Sequence, residues 1–233
     1  MKKIAYFSYK GGAGRSSLAY NTIPLLADAL NATAENPIVL IDLDVDSAGL
    51  TFLLGCHSNP DVYSTQDVVS GAIPGRLMNK DEVPLKNHPF FSQLIPVGTR
   101  FGLRGADRNA SILFLPVKTG MNLEFDATYD QAENYLYNVA KLCNHYGCKA
   151  LVLDTPTGDQ LTAKWALDIS KEILVTMKIT YQFRHGTVDF LRRKDREYAM
   201  KNFILVPNCV PTEEIMIDGV PYNYEAVRKE IIT

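Results

Sequence analysis

The residues whose spacing holds the most chemistry are Lys10-Gly11-Gly12-Ala13-Gly14-Arg15-Ser16-Ser17. They follow a strand-like apolar run, Ile4 to Ser8, and lead into a run with helical spacing, Ser16 to Leu30. A glycine-rich turn between a strand and a helix aims successive backbone N–H groups into one concavity. The helix dipole adds about half a positive charge there. This is an anion site; its glycines let a phosphate lie against the backbone and let the turn visit positive φ. Ser16 puts a hydroxyl where it can ligate Mg²⁺ carried by that phosphate. Arg15 stands where such turns usually carry lysine; it keeps the charge but is planar and bulkier. The competing reading is a glycine-rich turn with no ligand.

Two acidic stretches are candidates to face that turn. Asp42 and Asp44 alternate with Leu43 at the end of the apolar run Ile38–Leu43, so they share one side of the strand end. Carboxylates at the carboxyl end of a parallel strand project into the crevice where such sheets bind ligands, and could hold metal-bound water. A second apolar run ends Leu153-Asp154-Thr155-Pro156-Thr157-Gly158. Asp154 could reach the Mg²⁺ shell, and the Gly158 N–H could sense a terminal phosphate. A solvated acidic loop for the first stretch and a helix-capping aspartate for the second are the alternatives.

The elements that must position these residues alternate along the chain. Further strand-like runs are Ile112–Leu115, Ala150–Asp154, Ile173–Met177 and Phe203–Val206; their continuous apolarity predicts strands buried on both faces. Helical spacing predicts helices over Asp130–His145, Leu161–Ile169 and Val188–Tyr198, a short one near Thr65–Ser70, and a kink at Pro24 in the first. Such alternation predicts one α/β domain over residues 1–233, a doubly wound, mostly parallel sheet with helices on both faces. The segment Cys56–Gly105 is irregular, a long surface excursion. The end, Tyr222 to Thr233, reads as a helix barely begun, consistent with the N-terminal module of a longer protein.

Taken together and in this order, the three stretches resemble the ParA/MinD family of deviant Walker A P-loop ATPases, in a Lys-Gly-Gly-x-Gly-Arg form. Lys10 to Ser17 match the family's loop at every position except Arg15; Asp42 and Asp44 match its first acidic pair, and Asp154 with Gly158 match its Asp-x-Pro-x-Gly switch. Leu113-Phe114-Leu115-Pro116 resembles its mid-domain strand, so the similarity spans most of Met1 to Pro211. The resemblance implies ATP and Mg²⁺ as ligands, with Ser16, Asp42, Asp44 and Asp154 about the metal and residues 10–17 about the phosphates. It implies a homodimer formed on ATP binding, with Lys10 reaching the partner's nucleotide, where a cation supplied in trans is worth about 10³–10⁵ in rate in GTPases. It implies that Asn208 reads adenine, although a turn asparagine explains that residue as well. Asn79-Lys80-Asp81-Glu82 falls short of a guanine-reading motif because Glu82 replaces aspartate, so adenine is favoured. Binding is expected to survive Arg15, whereas hydrolysis is expected to be slow, since a shift near 1 Å can cost about 10²-fold. Lys10, Arg15 and Asp44 are then the catalytic candidates.

Bulk properties limit the remaining possibilities. A net charge of −2 and a charged content of 21% give no basic excess for wholesale nucleic-acid binding. The segment Arg184–Lys201 is locally basic and could contact DNA non-specifically, but a solvated helix face is the preferred reading. No apolar run approaches the ~20 residues of a membrane span, and Glu225–Ile232 is a poor amphipathic anchor. The four cysteines lack metal spacing and read as buried thiols of a cytoplasmic protein. Three functions stay open: an ATP-dependent dimerisation switch acting on a partner protein or DNA, a non-hydrolysing nucleotide-binding regulatory module, and a ligase-type enzyme using Cys56–Gly105 as substrate site.

Overall fold

The computed structural model describes residues 1–57, 62–69, 83–119, 129–194, 198–208, 215–217 and 220–222, with backbone alone for 129–134, 215, 217 and 220–222. The sequence elements Asn79–Glu82, Glu225–Ile232, Cys209 and most of the expected C-terminal helix lie outside the described residues.

Seven strands form one sheet: β1 (Lys2–Ser8), β2 (Ile38–Asp42), β3 (Ile95–Pro96), β4 (Ile112–Leu115), β5 (Ala150–Thr157), β6 (Glu172–Lys178) and β7 (Asn202–Asn208), in the order β3-β4-β2-β5-β1-β6-β7. All pairings are parallel except the short edge pair β3–β4. The reason for continuous apolar runs is visible strand by strand. Ala5 and Phe7 of β1, Val39 and Ile41 of β2, Leu113 and Leu115 of β4 and Leu151 and Leu153 of β5 enter one buried cluster. Their alternating neighbours Ile4, Tyr6, Ile38, Leu40, Ile112, Phe114, Ala150 and Val152 enter a second. Because successive side chains point to opposite faces, a strand covered on both sides cannot alternate in polarity.

Helices complete the two layers. On the first face lie α3 (Thr65–Val69), α5 (Tyr129–His145), α6 (Leu161–Ile169) and α7 (Tyr181–Lys194), contributing Val68, Val139, Trp165 and Phe190. On the second lie α1 (Arg15–Ala29) and α2 (Gly49–Leu53), contributing Ala19, Ile23, Ala27 and Leu50. The helical run of α1 continues through Pro24, with the Thr22 hydroxyl donating to the Leu18 carbonyl at 2.7 Å. A short α4 (Ala106–Ala110) precedes β4, and a hairpin of β8 (Ile215–Ile217) and β9 (Val220–Tyr222) forms a separate antiparallel pair. No helix of the described residues is long and apolar enough to cross a membrane.

Two expectations need correction. Tyr222 lies on β9 rather than opening a helix. The helix expected at Val188–Tyr198 is α7, which starts seven residues earlier, at Tyr181, and ends at Lys194. Gly186 lies within α7, and its missing side chain makes room for the Tyr9 ring: a Cβ there would stand 2.5 Å from Tyr9 Cε1. Packing therefore outweighs the ~1 kcal/mol that glycine costs inside a helix.

At the end of β2, Asp42 ties the sheet to α2. Its carboxylate accepts from the Thr51 N–H at 3.0 Å, the Thr51 hydroxyl at 2.8 Å and the Asp44 N–H at 3.0 Å. Burial, then the nearby Asp154 charge, push the Asp42 carboxyl up to about 7. The folded protein thus holds this proton more tightly than the unfolded chain, where aspartate titrates near ~3.9. The resulting stability is present below about pH 4 and is lost as pH rises through about 7. Urea denaturation should therefore give an unfolding free energy that falls across that window, and Asp42→Asn should flatten the fall while lowering stability overall. A rise with pH, or an unchanged slope in the variant, would refute this role.

Candidate phosphate-binding site

The glycine-rich turn lies across the carboxyl ends of the central strands. Even-numbered residues of β1, β2 and β5 face the α1 side of the sheet, so Ser8, Asp42 and Asp154 all emerge beneath the start of α1, with Asp42 and Asp154 paired in register. Gly14, in the left-handed region at φ 82, hands the chain into α1, which has no side-chain cap and no acidic residue in its first turn. Its first N–H groups are left to whatever fills the cleft. That cleft measures about 330 Å³ and is lined by residues 11–17 with Ser8, Asp44, Asp46, Ser47, Thr157 and Gln160.

Arg15 is drawn inward. It is 5% exposed, and its guanidinium spans two strand ends: Nε donates to Asp154 Oδ1 at 2.7 Å and Nη2 to Asp44 Oδ2 at 2.5 Å. Nη1 makes a longer contact of 3.4 Å to the Ser8 hydroxyl. Burial works against the Arg15 charge, but Asp154 and Asp44 more than offset it and raise its pKa. Asp154 is also buried; desolvation raises its carboxyl against the pull of Arg15 and of Ser16, whose hydroxyl lies near it without bonding Oδ2. Removing one partner of a buried ion pair costs about 3–5 kcal/mol, because the other charge is left uncompensated.

The remaining expected residues are distributed around the loop. Asn208, at the end of β7, donates Nδ2 to the Ala13 carbonyl at 2.8 Å, and a Cβ on Gly14 would stand 2.1 Å from that nitrogen. Asn208 therefore holds the loop as well as standing beside it. Lys10 reaches Gln182 at the start of α7, with 3.5 Å between Nζ and Oε1. The Gly158 N–H donates to the Ser8 carbonyl at 3.0 Å, so a terminal phosphate would have to draw it away from that bond. Gly11, Gly12 and Ser17 are exposed at the cleft mouth, and Ser16 is half-buried.

Magnesium does not fit the carboxylates as they stand. Both Asp42 oxygens take backbone or hydroxyl donors, both Asp44 oxygens take Ser47 donors and one also Arg15, and Asp154 Oδ1 takes Arg15. What is left is the Ser16 hydroxyl and Asp154 Oδ2, which is buried without a hydrogen-bond partner. Among the described residues no group of three or more His, Cys, Asp or Glu is disposed to hold a metal ion.

Several residues at this site escaped the sequence reading. Lys178, at the end of β6, brings Nζ within 3.9 Å of the position a Cβ on Gly12 would take, adding a cation outside the loop. Gly49 closes against Ser16, whose hydroxyl would lie 2.9 Å from a Cβ there, and Ala48 before it is in the left-handed region at φ 48. Strained backbone of this kind, costing about 1–3 kcal/mol, gathers at functional sites. Gln160 bridges the cleft mouth to Asp46 at 3.4 Å. Only the position of Ala48 and Gly49 just after the acidic pair could have signalled them. Of the basic segment, Arg192 and Arg193 are exposed, but Lys201 caps the end of α6 through the carbonyls of Leu167, Asp168 and Ser170. Arg196 lies outside the described residues.

No protein-family model matches the chain, and no curated protein matches its sequence. Solved structures do match. The MinD septum site-determining protein of Pyrococcus horikoshii complexed with Mg-ADP is 15% identical, with 98% of this chain and 76% of that one covered at a TM-score of 0.62. An ATP complex of a Cyanothece McdA variant is 15% identical over 89% of this chain and 70% of that one, TM-score 0.61. The MinC:MinD cell division complex of Aquifex aeolicus is 18% identical over 88% and 67%, TM-score 0.60. At these identities the likeness is one of fold: the chain has the MinD/ParA P-loop NTPase fold.

Proposed function

We propose that this chain binds adenine nucleotide in the 330 Å³ cleft through the N–H groups of residues 11–17, and works as a nucleotide-dependent dimerisation switch on a partner protein. The observation that supports this best is the uncapped start of α1, opening onto a cleft lined by the glycine turn and Arg15, with the Lys178 ammonium near Gly12 outside it. A fold neighbour bound to MinC makes a protein partner the leading choice. DNA is the weaker partner, since Lys201 is tied to α6. In the proposed dimer, Lys10 lets go of Gln182, a long and weak contact, and reaches the opposite nucleotide.

Hydrolysis is proposed to be slow. Asp44 is the group expected to orient an attacking water, yet both its oxygens are occupied by Arg15 and Ser47. The same contact supports a second reading, a nucleotide-binding module that does not hydrolyse at all.

Light scattering after size exclusion tests the switch. A non-hydrolysable ATP analogue is expected to give a dimer, ADP a monomer, and Lys10→Ala a monomer with either; an analogue-bound wild-type monomer refutes the sandwich. Phosphate release separates the two readings. Measurable slow release supports the ATPase, and its complete absence supports the silent module. Arg15→Lys is expected to release phosphate at least as fast as wild type, because lysine lacks the planar fork that locks both carboxylates. Loss of turnover in that variant beside an active wild type would instead mark Arg15 as an adapted catalytic group.

A further inference from the structure

We infer that the Arg15 guanidinium takes the place of a divalent cation, so that nucleotide binding by this chain, which rests on the reading above, does not depend on magnesium. A hydrated magnesium in a site of this type leans on carboxylates at the ends of two central strands while it neutralises phosphate oxygens. Here the two carboxylates best placed for that, Asp44 and Asp154, lie 2.5 Å and 2.7 Å from the two ends of one guanidinium. The third, Asp42, has both oxygens engaged by Thr51 and the Asp44 N–H. Adding a doubly charged ion would require breaking a buried, doubly bonded contact first.

Arginine suits this role through its geometry. Its planar fork carries five N–H donors, enough to grip two carboxylates and still offer hydrogen atoms on another edge. Nε, Nη1 and Nη2 each use a donor on Asp154, Ser8 and Asp44, and the residue still lines the cleft. A phosphate in the glycine turn would thus meet a cation already fixed in position by the protein. Lysine in the same place is a compact point charge with three rotatable donors and no planar fork, so it holds two carboxylates less rigidly and yields more readily to a metal ion. Of the three carboxylates, Asp154 Oδ2 is the lone oxygen not engaged; a metal ion drawn to it and to the Ser16 hydroxyl would sit beside the guanidinium already bound to the same carboxylate, and the two positive charges would repel.

Titrating nucleotide-free protein with Mn²⁺, followed by electron paramagnetic resonance of the free ion, tests the inference without any nucleotide. Wild type is expected to leave the signal undiminished, and Arg15→Ala to remove about one equivalent that Asp154→Asn in the same background restores. Uptake of Mn²⁺ by wild type that Asp154→Asn abolishes would overturn the inference, and that comparison stands even if Arg15→Ala fails to fold. Calorimetry with ADP adds the second arm. Wild type is expected to keep its Kd within about threefold between EDTA and magnesium, whereas Arg15→Lys should lose about tenfold or more on metal removal. A tenfold magnesium requirement in wild type overturns the inference. ADP binding in neither buffer refutes the nucleotide reading instead, and the Mn²⁺ titration still decides what Arg15 replaces.

Discussion

Three carboxylates at the carboxyl ends of the central strands, set into a dry two-faced sheet, dictate how the surrounding elements are put together. Asp42 and Asp154 are wholly buried and Asp44 nearly so. Charges removed from water must be matched or neutralised, because burial without a partner costs several kcal/mol per ion. The protein meets this demand in two ways. Arg15 matches Asp44 and Asp154, and three hydrogen bonds hold Asp42, whose pKa rises through burial and the nearby Asp154 charge. Arg15 can do this only because α1 begins directly above the β1 and β5 strand ends, which places the first helical residue over the carboxylates.

The loop is held from several sides at once. Asn208 on β7 fastens the Ala13 carbonyl, Gly158 on the segment after β5 donates to Ser8, and Tyr9 fits the notch left by Gly186 on α7. Phe7 and Phe190 stack below that notch with 4.6 Å between ring centroids. Each contact crosses to a different strand or helix, so a ligand that altered the loop would be felt in α7 and in the segment after β5 together. Those are the elements bearing Gln182, the partner of Lys10, and Gln160, the bridge to Asp46. The glycine turn and Lys10 are thereby joined through packing as well as through single contacts.

Much of this architecture was legible in the residues. Continuous apolar runs identify the six parallel strands, and the helical spacing of Leu161–Ile169 matches α6 to the residue. The elements that escaped detection are mostly short: five-residue α2 and α4, two-residue β3, three-residue β8 and β9, and the first half of α7. Short elements contain too few periodic positions to be read, and they exist because a neighbour completes them. For Gly186 the completing neighbour is a ring contributed from 177 positions earlier in the chain.

Local sequence was enough to specify the layout: a glycine-rich turn between a strand and a helix, acidic residues at two strand ends, and arginine where lysine is usual. These follow from local preference and from period, which are properties of neighbouring residues. Where the Arg15 charge goes is a matter of long-range packing alone. Its partners come from 29 and 139 residues away and are brought together by parallel pairing of β2, β5 and β1. A sequence names a charge and its candidate ligands, but the choice between phosphate and carboxylate is settled by which buried groups would otherwise stand unpaired.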